Sequence, residues 1–147
     1  MITVEQRAAD LPAEWDDVVG DNIYLRRDFL AFMERCDDCG QRYHLVRDAA
    51  GRLDTVFMTY LRRGYNLSMF TPFDYRVTMT FVYVPLSVTR PGIAWGICRD
   101  EALAYIRGLR GYTLILNLPA GDYPGFATGL TCSQCVLEVR WPSFEDY

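Results

Sequence analysis

The chain has 147 residues and a mass of 17.0 kDa, with 50% hydrophobic and 23% charged residues. That is the size and balance of one folded domain able to bury its own core, neither disordered nor fibrous. Its net charge of -4 and pI near 4.9 argue against a duplex-nucleic-acid module, whose affinity rests on phosphate contacts.

All 15 basic residues are arginine. Without lysine there is no Walker A lysine, no Schiff base and no kinase-type lysine. The single histidine, His44, excludes any site that needs two imidazoles. No segment reaches the roughly 20 consecutive apolar residues of a spanning helix. Residues 1–7 lack the basic-then-apolar layout of a signal peptide, which makes the cytoplasm the expected compartment. The five cysteines (36, 39, 98, 132 and 135) are then expected as reduced thiols or metal ligands.

Neither repeats nor linkers interrupt the chain, so residues 1–147 read as a single domain. Residues 1–6 predict a short edge strand, and residues 11–19 a short helix with Pro12 in its first turn. Leu25, Phe29, Phe32, Met33 and Cys36 stand at helical spacing and predict an amphipathic helix ending near Gly40. Residues 42–48 and 53–62 flank a short turn at 49–52 and predict a hairpin, which residues 65–70 continue. Residues 77–86 are rich in β-branched and aromatic side chains and form the strongest predicted strand.

Residues 100–109 carry an apolar stripe of Ala102, Leu103, Ile106 and Leu109 and predict a helix, with Gly111 as its C-cap. Strands at 112–118 and 135–139 complete the order. The pattern predicts an α+β (mixed α/β) fold with one dominant, mostly antiparallel sheet flanked by helices. At the end, Ser143-Phe144-Glu145-Asp146 has the form of a capping box that opens a helix. Either the tail frays there, or the chain is the front part of a longer protein; the second reading is the one expected.

The stretch from Val82 to Gly96 is the richest in chemistry. A strand feeds a glycine-containing turn that opens a helix, and such a turn offers backbone N–H groups to an anion. Arg90 adds a charge-assisted contact. On spacing alone, Pro91-Gly92 also reads as a plain turn between two elements.

This layout resembles the GNAT acyltransferase superfamily, whose signature Gln/Arg-x-x-Gly-x-Gly/Ala lies between the fourth strand and the next helix. Here Thr89-Arg90-Pro91-Gly92-Ile93-Ala94 matches at Gly92 and Ala94. Thr89 stands where glutamine or arginine belongs, Arg90 comes one position late, and Pro91 removes one N–H. The run Asn117…Tyr123…Gly125-Phe126 is similar to a later segment of the family. The resemblance implies a site for acetyl-coenzyme A or a related acyl-coenzyme A formed by Val84, Leu86, Thr89, Arg90, Gly92, Ile93, Ala94 and Gly96. Its partners would be an acyl donor and an amine acceptor.

A narrower resemblance is to Fem-type proteins, which carry two such folds in tandem. Leu11-Pro12-Ala13-Glu14-Trp15-Asp16, the Phe29-Leu30 helix and the residues from Trp141 to Tyr147 look similar to their first half. That would make the partner a second GNAT-like domain and the coenzyme site vestigial.

Acyl transfer from a thioester needs an oriented amine, a proton acceptor and oxyanion stabilisation. The candidate bases are Asp74 and Tyr83, and Tyr123 is the candidate acid for the leaving thiolate. Each has a plainer reading, as a turn residue, a core residue and a loop aromatic. A second constellation pairs Cys36-x-x-Cys39 with Cys132-x-x-Cys135, a ligand set for a small zinc-binding domain. The long separation of the pairs, and the opposite faces that Cys132 and Cys135 take in a strand, argue for incidental thiols instead, and no metal is expected.

His44, between Tyr43 and Leu45 in a predicted strand, reads as a structural residue. The pairs Arg26-Arg27 and Arg62-Arg63 read as solvated faces or as contacts to a coenzyme phosphate. Two functional classes remain: an acyltransferase or part of one, and a non-catalytic GNAT-like domain used for recognition or packing. The feature that separates them is whether the backbone amides around Gly92–Gly96 are free.

Overall fold

The alternating middle of the chain forms a sheet of six strands, mostly antiparallel, within an α+β fold. The computed structural model describes residues 1–36, 39–68, 72–87 and 89–129. The expected strand at 135–139, the capping box at 143–146 and the Cys132/Cys135 pair lie outside these residues.

In chain order the elements are β1 (Ile2–Glu5), α1 (Glu14–Val19), α2 (Arg27–Cys36), β2 (Arg42–Arg47), β3 (Leu53–Asn66), β4 (Arg76–Val82), β5 (Ile93–Ala94), α3 (Arg99–Arg107) and β6 (Tyr112–Ile115). Single 3-10 turns precede α1 and α2. The strand order is β1-β2-β3-β4-β6, antiparallel up to β4 and parallel between β4 and β6. The short β5 lies beside β3 on the same edge as β4, at Val56↔Ala94 and Phe57↔Ile93. It therefore resumes the pairing that β4 leaves off at Thr59↔Val82.

Period-two alternation divides the core between the two faces of the sheet. One face carries Tyr43, Leu45, Val56, Met58, Tyr60 and Phe81, packed against Trp15, Val19, Leu25 and Leu30 from the α1–α2 layer. The other carries Val46, Phe57, Val82 and Ile93, packed against Ala102 and Ile106 of α3. Trp15 is fully buried, and its indole N–H donates to the Leu25 carbonyl at 2.7 Å. Asp16 of α1 accepts from the Arg27 backbone N–H at 2.9 Å and from Arg27 Nε at 3.0 Å, which fixes the start of α2. Glu34 Oε1 accepts from both Tyr43 Oη at 2.8 Å and the Ala8 amide at 2.7 Å, tying α2 to β2 and to the first turn.

Several boundaries differ from the sequence reading. In α2 the buried positions are Leu30 and Met33, while Phe32 and Cys36 are exposed and Leu25 is buried in the preceding 3-10 turn. The helix starts later than the apolar spacing suggested, because the Asp16 contact sets its first turn. β3 runs past Arg62 to Asn66 through a register shift between Arg62 and Tyr65 opposite β4, so Tyr65 belongs to β3 and not to a separate strand. β4 stops at Val82 and not at residue 86, since Pro85 has no N–H to give a ladder. Gly108, not Gly111, is the C-cap of α3. β6 ends at Ile115.

His44 is 3% exposed, stacks on Phe57 with ring centroids 4.4 Å apart, and holds Thr59 Oγ1 at 2.8 Å through Nε2. Burial, with a smaller contribution from the nearby Arg42, lowers its pKa to about 4, so the ring is neutral at pH 7. An unfolded chain takes up this proton near the ordinary value of 6.5. The stabilising contribution is therefore complete above 6.5 and is lost as the pH falls from there through 4.

Two outcomes are expected. Trp15→Ala loses about 3–5 kcal/mol in urea unfolding at pH 7, more than Trp15→Phe, which sacrifices chiefly the Leu25 hydrogen bond. Wild type loses up to roughly 3 kcal/mol more than His44→Phe between pH 7 and pH 4, as measured by the same unfolding curves.

Candidate functional site

Between β4 and β5 the chain leaves the sheet edge at Tyr83 and returns to it at Gly92. The excursion is held from inside and from outside. Ser87 donates its backbone N–H to the Val84 carbonyl at 3.0 Å, and its hydroxyl bonds both the carbonyl and the amide of Arg90, at 2.7 and 3.0 Å. Asn117, just past β6, donates to the Ser87 and Arg90 carbonyls at 3.3 and 3.2 Å. Asn22 donates to the Pro91 carbonyl at 3.0 Å.

The residues expected to hold a coenzyme are spread through this excursion, β5 and the approach to α3. Val84 is buried in the α1–α2 core, while Leu86 is exposed with φ of +78°. Thr89 is exposed, and Arg90 faces Asp21 at 3.3 Å. Gly92 is back in register, where its carbonyl accepts from the Met58 amide at 3.0 Å. A Cβ on Gly92 would lie 2.6 Å from Tyr83 Cα, so the two legs of the excursion touch. Ile93 and Ala94 are β5 itself, paired with β3.

Helix α3 begins at Arg99 with Cys98 as its N-cap, and the amides of Gly96, Ile97 and Cys98 lead into it. None is capped by its own turn: the N-cap residue Cys98 makes no side-chain cap. The partners come from β3. Asp54 Oδ1 accepts from the Ile97 amide at 3.0 Å, and Asp54 Oδ2 accepts from the Cys98 amide at 2.7 Å. Thr55 Oγ1 accepts from the Gly96 amide at 2.8 Å and donates to Asp54 Oδ2 at 3.0 Å. A Cβ on Gly96 would run into Asp54.

The cradle of N–H groups at this helix end is thus filled by a carboxylate of the same chain. Burial pushes the Asp54 pKa upward, but the Cys98 and Ile97 amides and the Thr55 hydroxyl pull it down further, and the net shift is below the ordinary 3.8. An internal carboxylate at the N-cap amide also lies close to the positive end of the helix dipole, where negative charge is favourable.

The three catalytic candidates do not converge. Asp74 lies in the exposed turn before β4, accepting from Ser68 Oγ at 3.3 Å and Arg76 Nε at 3.2 Å. Tyr83 lies past the other end of β4, half-buried against the α1–α2 core. The seven residues of β4 between them span about 23 Å at the usual strand rise. Tyr123 is buried beside the start of α3, with its ring 4.8 Å from the Arg99 guanidinium carbon and its hydroxyl donating to the Pro119 carbonyl at 2.7 Å.

Cys36 is exposed at the end of α2, and Cys39 Sγ lies 3.3 Å from Gln41 Oε1. Among the described residues no three His, Cys, Asp or Glu side chains gather as a metal-ligand set. Nor is any helix among them long and apolar enough to cross a membrane.

Asp54 and Thr55 went unnoticed in the sequence because they stand more than 40 residues before the amides they bind, Gly96 to Cys98, a separation of roughly ten helical turns' worth of chain that no local pattern spans. The available signal was a polar Asp54-Thr55 pair just inside the start of the strand, ahead of the apolar Val56, Phe57 and Met58. The chain matches no family model, no curated protein and no solved structure.

Asp54→Ala is expected to cost about 1–2 kcal/mol, as loss of a helix cap does, with Asp54→Asn intermediate. Because the folded-state pKa of Asp54 is depressed, its contribution is present above the ordinary 3.8 and fades as the pH falls below that value. Acid unfolding followed by circular dichroism should accordingly be less steep below about pH 4 in Asp54→Ala than in wild type, as linkage requires.

Proposed function

We propose that this chain is a GNAT-like domain without a working acyl-donor site, used for recognition or for packing against a partner domain. The observation that carries this reading is the Asp54 carboxylate bonded to the Ile97 and Cys98 amides, with Thr55 on the Gly96 amide. In the family that the sequence resembles, the loop matched here by residues 89–94 holds the coenzyme pyrophosphate, and the amides that Asp54 occupies lie just beyond it. A second anion entering here would meet a fixed negative charge and amides whose hydrogen bonds are already taken. The Gly92 segment offers no substitute, since its carbonyl is paired to β3 and its open face is closed by the Tyr83 backbone.

The strand order supports the same descent. Four antiparallel strands, a helix, and a further strand parallel to β4 are consistent with the GNAT-like arrangement expected from the sequence. The same order favours a second reading, an active acyltransferase in which Asp54 gives way to the coenzyme. That reading requires Asp54 to leave three mutually bonded groups when the donor arrives.

Calorimetric titration with acetyl-coenzyme A, with desulfo-coenzyme A as control, separates the two. The expected result is no binding heat up to millimolar ligand in wild type. Micromolar affinity would replace the proposal with the active enzyme. The informative variant is Asp54→Ala, because any side chain at Gly92 collides with the Tyr83 backbone and would be read through misfolding.

A further inference from the structure

At the other end of α3 lies a groove of about 660 Å³ on the α3 face of the sheet, in the range of sites that hold a small organic ligand. Its floor is polar. Arg42 stands opposite Thr59 and Leu61 opposite Thr80 in the ladder, which puts the two threonines on neighbouring strands under the groove. Thr59 is held by His44 Nε2 at 2.8 Å, and Thr80 Oγ1 donates to the Arg110 carbonyl at 2.7 Å. The second contact fixes Arg110 beside β4 after the chain leaves α3.

Three arginines line this groove, and no Asp or Glu among the described residues does. Arg42 reaches it from β2, Arg63 from the register shift in β3, and Arg110 from beyond α3. Among the described residues none of the three takes part in an ion pair, a state they share with other arginines such as Arg26 and Arg62. Arg42 Nη1 donates to the Gln41 carbonyl at 3.1 Å. What sets the three apart is the concavity they share. In a chain of net charge -4, three arginines lining one concavity with no acidic partner among the described residues need a physical account. The carbonyl end of α3 supplies roughly half an elementary charge of the opposite sign, which the three guanidiniums outweigh. His44 is neutral and adds no charge of its own.

We infer that this groove binds a small multivalent oxyanion, a phosphorylated or multiply carboxylated metabolite, through Arg42, Arg63 and Arg110 over a floor of threonine hydroxyls. Guanidinium groups suit such ligands because their forked donors match two oxygens at once. The volume and the net negative charge of the chain fit a small molecule better than a nucleic-acid strand, which would be repelled over the rest of the surface. The inference does not rest on the proposed lack of a donor site, which concerns the opposite end of α3.

The chain's single histidine provides a local reporter, since its ring C–H signals in NMR come from the groove wall. Pyrophosphate and citrate, titrated separately at constant low ionic strength, distinguish a phosphate from a carboxylate ligand. The expected result is a saturable shift of the His44 signals with at least one of them. Affinity should fall by roughly tenfold or more in Arg42→Gln/Arg110→Gln, as loss of charge-assisted contacts predicts. Arg63→Gln, on the exposed register shift, gives a second reading should the double variant fail to fold, and Arg52→Gln is expected to bind as wild type does.

Unsaturable shifts with both anions, or binding unchanged in folded Arg42→Gln/Arg110→Gln and Arg63→Gln, would overturn the inference. Binding that ignores these arginines but changes in Asp54→Ala would lie at the start of α3. It would overturn the inference and the proposed loss of the donor site together, whereas acetyl-coenzyme A binding alone would overturn only the latter.

Discussion

The carboxylate of Asp54 decides how the second half of this domain is arranged. Helix α3 begins without a side-chain cap of its own, and the Ile97 and Cys98 amides that lead into it find their acceptor on a neighbouring strand. This pins the start of α3 against the start of β3 and brings the chain back to the sheet edge before the helix begins. β5 is the result: two residues that pair with Val56 and Phe57, next to the residues that do the capping. The polar contact and the strand pairing reinforce each other, because each holds the geometry that the other requires.

The excursion between β4 and β5 follows from the same constraint. With Val82 and Gly92 both in register against β3, the intervening residues have to leave the sheet and close on themselves. Ser87 closes the loop internally, and Asn117 and Asn22 fasten it to the end of β6 and to the segment before α2. These side chains satisfy backbone groups that a ladder would otherwise have paired. The sequence stretch that most resembles a phosphate-binding loop thus serves as a fastened loop and a piece of sheet. The amides suited to an anion lie a few residues later and already have one.

The two ends of α3 consequently differ in character. At its start, an acidic residue of the chain bonds the N-cap amide and the amide before it. At its far end, arginines from three separate segments line one groove with two threonines, and no acidic residue among the described residues joins them. The α1–α2 face, by contrast, is closed by Trp15, Leu25 and Leu30 and by Tyr43 beneath them. The polar groove is therefore confined to the side of the sheet that the short α3 covers only in part.

The existence and type of most elements were legible in the sequence, since the apolar pattern alone separates the strand read over 53–62 from the helix read over 100–109. The edge position of β1, the Ala49–Arg52 turn and the mostly antiparallel sheet were legible for the same reason. The absence of lysine and the single histidine bounded the chemistry before any coordinates. Tertiary structure alone decided which backbone amides are occupied, because Asp54 reaches them across the fold and nothing local marks the pairing. It also decided that Asp74, Tyr83 and Tyr123 stay apart and that Arg42, Arg63 and Arg110 share a groove. Periodicity reports which face of its own element a residue occupies; which distant elements supply its neighbours depends on strand order and register, and these emerge only when the whole sheet is assembled.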